Sequence, residues 1–397
     1  MAKFFELIKP DHNFDFVGRQ RLFLGLSAVA VLLSIAMLPI NAFVIKSRGL
    51  PMNYSIDFRG GTEMQVAFKQ PQETGKIREA IEAGGFKDPE VVKFQQSDQP
   101  NSFLLRFAAV SPVSEAQAKK LEDKLRSTFG AETLRKFDFS EGGDKIYLRF
   151  SKSVEPQQIM DVLKGEGVQY NTVQRFGRPE DNAYEVILVG LDTEVTRALE
   201  AKMGQGAVAS IPHVDSVGAR AGAELRNDGI KSLLIAILFI MIYIAVRFDF
   251  RYGPGTVVAL LHDAILVMGA FAVTYTEFSL TTIAAILTVI GYSMNDTIVV
   301  FDRIRENHGR LRDKKFDRVV NTSINETLSR TILTSATVFF VTLAMNIWGT
   351  GSIREFAFAM NVGVIVGTYS SIFVAAPILI WLNDRFYKPT DAKARRA

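Results

Sequence analysis

The sequence has no cysteine, which excludes disulfide staples and thiolate metal centres, so any domain outside a membrane must fold on packing alone. It also lacks an HExxH zinc motif, a G-x-S-x-G nucleophile elbow and any Cys nucleophile, so an intramembrane hydrolase is poorly supported. No small-residue cleavage site follows the first hydrophobic run, so the run reads as a retained span and not as a signal peptide. Basic residues are nearly absent from the loops around Glu277 and Thr350. The net charge of +4 is therefore a topology signal, gathered at one side of the apolar blocks, and does not point to nucleic acid.

What is present is apolar sequence concentrated in blocks, the pattern of an integral membrane protein with a separate polar part. Residues 1–21 form a short amphipathic segment, with Phe4, Phe5, Leu7 and Ile8 set against Lys3, Lys9, Arg19 and Arg21, expected to rest at the cytoplasmic lipid interface. Residues 22–45 make the first transmembrane helix. Further apolar blocks at 230–246, 256–276, 280–301, 328–348 and 356–382 give a five-helix transmembrane bundle over 229–384, followed by a cytoplasmic tail at 385–397. Each block approaches or exceeds the ~20 residues that span a bilayer. Arg247, Arg251, the basic residues from Arg303 to Arg318, Arg385 and Lys388 share one side with the basic N-terminus. This predicts cytoplasmic termini and places 46–228 outside.

The fold class expected is thus a six-helix transmembrane bundle with an external α+β head. Within the head the order βαββα recurs with a shift of roughly 80 residues, a length that suits ferredoxin-like lobes. The first copy, within 57–130, has strands at 63–68, 91–95 and 102–107 and helices at 76–83 and 115–129. The second copy, within 131–210, has strands at 145–150, 172–176 and 184–189 and helices at 156–163 and 194–203. Ser114 suits an N-cap and Pro156 a first helical turn.

Asp296 is the residue that sets the functional reading, because it stands in a run otherwise written for lipid. An Asp at the centre of a spanning helix costs roughly 2.5–3.5 kcal/mol on insertion scales, and such residues face a bundle interior and mark function. Counting inward at about 1.5 Å per residue puts Asp296 roughly 10 Å deep and His262 and Asp263 roughly 13 Å deep, with Arg330 a few residues into its own span. Thr288, Tyr292 and Asn295 extend the Asp296 helix, and Thr334 and Thr337 extend that of Arg330. Together they predict a polar relay for protons. Asp302, Arg303, Arg305 and Glu306 read as a solvated helix end with local ion pairs, and Gly363 and Gly367 as close-packing sites.

These motifs resemble the SecD/SecF family of protein-export membrane proteins, within the resistance-nodulation-division superfamily. The resemblance rests on DFRGG at 57–61, GAELRNDGIKS at 222–232, LLHD at 260–263, GYSMNDTIVVFDRIREN at 291–307 and TLSRTILTS at 327–335. It makes Asp57, Arg59, Gly60 and Gly61 a family structural motif and implies that Asp296 and Arg330 serve proton-driven function, with no cofactor or metal. It further implies a SecD partner with six helices of its own, contact with the SecYEG channel, an unfolded preprotein as substrate, and an inner-membrane location with the head in the periplasm. The head is longer than the single small domain usual on the SecF side of the family. The competing expectations are a proton-coupled small-molecule or lipid exporter and a scaffold of the channel that needs no relay.

Overall fold

The computed structural model describes residues 13–46, 48–96, 99–109, 111, 113–139, 144–248 and 250–386. The amphipathic residues 1–12 and the tail beyond 386 lie outside the described residues. The chain forms two compact units, one of Ile56–Leu225 and one of Met1–Ser55 with Arg226–Ala397.

The membrane unit begins with α1 (Gln20–Pro39), which widens into a π-helical turn at Ile40–Val44 and leads to β1 (Asn53–Tyr54). The head follows with α2 (Ile56–Arg59), β2 (Gly61–Phe68), α3 (Thr74–Ala83), β3 (Glu90–Gln96) and β4 (Gln99–Phe107). It continues with α4 (Glu115–Phe129), β5 (Leu134–Phe139), β6 (Lys145–Phe150), α5 (Pro156–Gly165) and β7 (Tyr170–Phe176). β8 (Ala183–Leu188), α6 (Leu191–Met203) and β9 (Val208–Val217) complete it. The chain returns through α7 (Ala219–Arg247), α8 (Gly253–Thr274) and β10 (Glu277–Phe278) to α9 (Leu280–Arg310) and α10 (Phe316–Trp348). α11 (Gly351–Ser370) continues through a π-helical turn into α12 (Ala376–Phe386). Six helical segments among the described residues are long and apolar enough to cross a membrane.

Both head sheets have ferredoxin-like order. The first runs β3-β4-β2-β9 and the second β5-β6-β8-β7, with all neighbours antiparallel. Their fourth strands, β5 and β9, were not legible in sequence because neither carries a clean apolar alternation. β5 turns charged after the buried Leu134, and β9 is exposed at most positions and contains Pro212, which suits an edge strand.

These strands also correct the expected boundaries of the duplication. β5 pairs with β6 and draws α4 over the second sheet, where Leu121 and Leu125 are buried with Ile146, Leu148, Phe150 and Tyr184. β9 pairs with β2 and draws α6 back over the first sheet, where Val195 and Leu199 pack with Met64, Val66, Phe103 and Leu105. The units 57–130 and 131–210 have therefore traded their last helices, and the second lobe is an insertion within the first. Local signals were still obeyed: Ser114 caps α4 in a capping box with Gln117, and Pro156 opens α5.

The Asp57–Gly61 motif is a helical turn followed by a glycine corner, not a strand edge. Gly60 and Gly61 have φ of 74° and 118°, a region that side chains avoid. A Cβ on Gly61 would lie 2.7 Å from the Phe107 carbonyl oxygen, and one on Gly222 would lie 3.1 Å from the Gly60 nitrogen. The motif thus lets three backbones meet where β2 begins.

Residues 48–55, expected in the head, pack instead with the membrane unit. The fully buried Asn41 donates to the carbonyls of Pro51 and Ala272, at 2.9 and 2.8 Å, and Arg48 donates to Asn41 Oδ1 at 2.6 Å and stacks on Tyr275. β1 pairs in parallel with β10. The C-terminal end of α8 is fixed by these contacts.

Candidate functional site

The bundle interior is built by small residues that let helices approach. A Cβ on Gly363 would overlap Val289, one on Gly367 would come within 2.8 Å of the Ser293 side chain, and one on Gly255 within 2.8 Å of the Ala375 carbonyl oxygen. α11 therefore lies close against α9, as expected of Gly363 and Gly367. That approach brings short hydroxyl side chains within reach of two buried carboxylates.

The first carboxylate, Asp263 of α8, is fully buried. It meets His262 Nδ1 at 2.9 Å, and accepts from Ser370 Oγ at 2.8 Å and from Ser293 Oγ. Three helices thus converge on it. His262 stacks on Tyr369, whose hydroxyl donates to the Phe23 carbonyl at 2.7 Å and accepts from Ser27 Oγ at 3.0 Å, so α1 joins the layer. The other ring nitrogen of His262, Nε2, is buried and has no hydrogen-bond partner among the described residues.

The second carboxylate, Asp296 of α9, is 3% exposed. It accepts from Ser335 Oγ of α10 at 3.2 Å, and Ser335 Oγ lies 2.7 Å from Thr368 Oγ1 of α11. Ser293 precedes Asp296 by three residues, one helical turn, and Thr368 precedes Ser370 by two. Hydroxyls therefore flank both carboxylates in one polar layer across α8, α9, α10 and α11.

Not every expected member joins this layer. Arg330 is exposed and makes no direct ion pair with Asp296 among the described residues, although it lies close enough for its charge to act on that carboxylate. The cause is angular: Ser335, which meets Asp296, stands five residues on, and at about 100° per residue this is about 140° around α10 from Arg330. Asn295 is likewise exposed, in an open groove of about 350 Å³ lined by Phe239, Tyr243, Gly291 and Met294. The hydroxyls of Thr288, Thr334 and Thr337 are spent on carbonyls of their own helices.

Ser293, Ser335, Thr368 and Ser370 were missed in sequence because an isolated Ser or Thr in a spanning helix carries no signal until its partner is known. A second cluster was missed for the same reason. Glu326 of α10 accepts from Arg303 and Asn307 of α9, both at 2.6 Å, and from Arg310 at 2.9 Å, while Asn307, fully buried, also donates to Ser323 at 3.0 Å. Arg303 does pair locally with Glu306, and Asp302 pairs with Arg247. The helix end is thus a joint between α9 and α10 and not simply a solvated terminus. Val300, Ile304, Ile324 and Leu328 fill the space between this joint and the carboxylate layer.

Comparison with known proteins gives the following likenesses. Residues 197–385 match the family described as "Protein export membrane protein SecD/SecF, C-terminal", and residues 49–72 match the "SecD/SecF GG Motif". The chain is 35% identical over 347 residues to "Protein translocase subunit SecF" of Gemmatimonas aurantiaca, covering 87% of this chain and 82% of that one. It is also 35% identical over 383 residues to the SecF subunit of Koribacter versatilis, covering 93% and 91%, so the long head belongs to the shared length. Among solved structures it resembles SecDF, "a translocon-associated membrane protein" from Thermus thermophilus, with a TM-score of 0.61 and 29% identity over 96% of this chain. The chain spans 40% of that longer protein.

Proposed function

The chain belongs to the SecF family of protein translocase subunits, and from that membership we propose that it promotes preprotein export with a SecD partner, drawing on the proton motive force. Its place is a bacterial inner membrane, with cytoplasmic termini and a periplasmic head, beside the SecYEG channel. The observation that carries the coupling step is the layer of two buried carboxylates lined with hydroxyls. Asp296 is held by a single side-chain donor, Ser335. Asp263 is enclosed by three. A proton reaching Asp296 cancels its charge, and the neutral carboxyl is served by the Ser335 hydroxyl alone. With Asp296 ionised, the Arg330 guanidinium is the cation on α10 able to answer it, so the helix has two electrostatically distinct settings.

Each elementary charge crossing 100 mV supplies roughly 2.3 kcal/mol, enough to bias two such settings, and repeated cycles supply sustained work. The change would pass to the head through α8, whose outer end is tied to the strand that enters it. No covalent chemistry is needed, and protons are the coupling ion. The SecD partner is supported by the surface of the bundle. Arg330 and Asn295 are exposed at positions deep enough to be costly against lipid, and a second helical bundle would cover them.

The test is export of a pulse-labelled preprotein in cells whose sole copy is Asp296→Asn, with Arg330→Met beside it and membrane levels matched. Both should lose stimulation of export while still assembling with SecD. Normal export by both would hand the lead to a channel scaffold without a relay.

A further inference from the structure

α10 is the helix that must move, and its hold on the rest of the bundle is uneven. Toward its outer end it is largely uncovered, with Phe340 65%, Val341 63% and Trp348 78% exposed. Its cytoplasmic end is gripped from two sides. On one side lies the joint through Glu326 and Ser323 already described. On the other, the residues before α1 lie along α10 as a strap, held by two asparagines one turn apart. Asn325 forms a two-point amide pair with the backbone of Phe14, accepting from its nitrogen at 2.8 Å and donating to its carbonyl at 2.9 Å. Asn321 accepts from the nitrogens of Phe16 and Val17, at 2.9 and 3.3 Å, and donates to the Phe14 carbonyl at 3.0 Å. Phe16 then seats its ring against Phe373, with centroids 5.8 Å apart.

The angular positions give this strap a role. At about 100° per residue, Asn321 stands about 40° from Ser335 and about 180° from Arg330, whereas Glu326 stands about 40° from Arg330. The strap thus grips the stripe of α10 that carries Ser335, and the Glu326 joint grips the stripe that carries Arg330. A helix held on opposite sides at one end cannot turn about its axis without breaking one grip. The strap hydrogen bonds of Phe14 are solvent-exposed, and neutral exposed bonds are the weaker of the two sets, since those to Glu326 are charge-assisted.

We propose that Asn321 and Asn325 are positioning residues which, through the strap Asn13–Val17, hold α10 at the rotation that offers Ser335 to Asp296, and that the strap must release for Arg330 to take that place. This deepens the proton-coupled reading and rests on it. The strap is a latch on the relay, set by main-chain shape and not by charge.

The natural absence of cysteine allows a clean test. Asn13→Cys is introduced together with Asp317→Cys, exposed and one turn before Asn321 on the same stripe, so that Asn321 and Asn325 stay in place, and the protein, reconstituted with its SecD partner and the channel, is joined by a methanethiosulfonate cross-linker long enough to span that further turn. Proton-dependent stimulation of export should fall to the level of Asp296→Asn and return when dithiothreitol cleaves the link. The same sample before and after reduction controls for folding. Full stimulation in the cross-linked state overturns the latch. If Asp296→Asn itself exports normally in the parallel arm, the coupling reading fails first, so the two failures are told apart.

Discussion

Leu125→Ala in α4 tests the trade of helices between the two lobes. The side chain is fully buried among residues of the second sheet. Removing a leucine to alanine in a packed core costs about 2–5 kcal/mol, from lost transfer energy and the cavity left behind. Its surroundings are rigid aromatic and β-branched side chains, among them Phe150, Tyr184 and Val186, which collapse poorly, so about 3 kcal/mol is expected. Because every 1.4 kcal/mol is tenfold, the amide protection of the second lobe should fall by about a hundredfold. Hydrogen exchange of the full-length protein in lipid nanodiscs, read peptide by peptide, measures this directly. The loss should concentrate in β5, β6, β7 and β8 and spare β2, β3 and β4. Val195→Ala in α6, fully buried against the other sheet, should give the mirror result. If Leu125→Ala instead loosens β2 to β4, the chain-order grouping of the lobes was right and the exchange is wrong.

Two other outcomes follow from named contacts. Asp263→Ala leaves the hydroxyl of Ser293 and the imidazole of His262 without their acceptor in the buried interior, while Ser370 keeps the Gly367 carbonyl; at about 1–3 kcal/mol for each stranded polar group, the thermal unfolding temperature in nanodiscs should drop sharply. Ser293→Ala combined with Asp263→Ala should be milder than the sum of the two, because the stranded partner is gone. In the head, the hydrogen bond from Lys145 to Glu185 holds the Glu185 carboxyl below its ordinary value, with Gln174 assisting. Since the folded pKa is the lower one, this stabilisation is complete above about pH 4.5, declines as pH falls below it, and is gone once the folded pKa is passed. Acid titration of second-lobe exchange should show that limb, and Lys145→Met should flatten it.

Helix periodicity and span length made the six spanning segments legible, because the bilayer imposes those patterns residue by residue. Three strands and both helices of each head repeat were equally visible. The trade of α4 and α6 was not, because the same apolar stripe on Leu121 and Leu125 fits either sheet, and the choice is made by the unmarked strands that follow each helix. At the site, depth counting found the layer of Asp263 and Asp296 because a carboxylate in an apolar run is improbable. It could not find Ser293, Ser335, Thr368 or Ser370.

Depth counting also drew Arg330 into the layer, and the reason it stands outside is instructive. Depth is one coordinate of a helix and rotation is the other. Ser335 and Arg330 are five residues apart, which is little over one turn in depth but about 140° in rotation. A count that uses depth alone must merge the residue that hydrogen-bonds Asp296 with the one whose charge acts on it from outside hydrogen-bond reach. The merging is informative, because two side chains that share a helix but not an azimuth can make direct contact with one carboxylate only in turn. One offers a hydroxyl to Asp296 and the other a charge. Which of them meets it depends on the rotation of α10, and that rotation is held at the N-terminal end of the helix by two amide side chains on one stripe and by one carboxylate on the other.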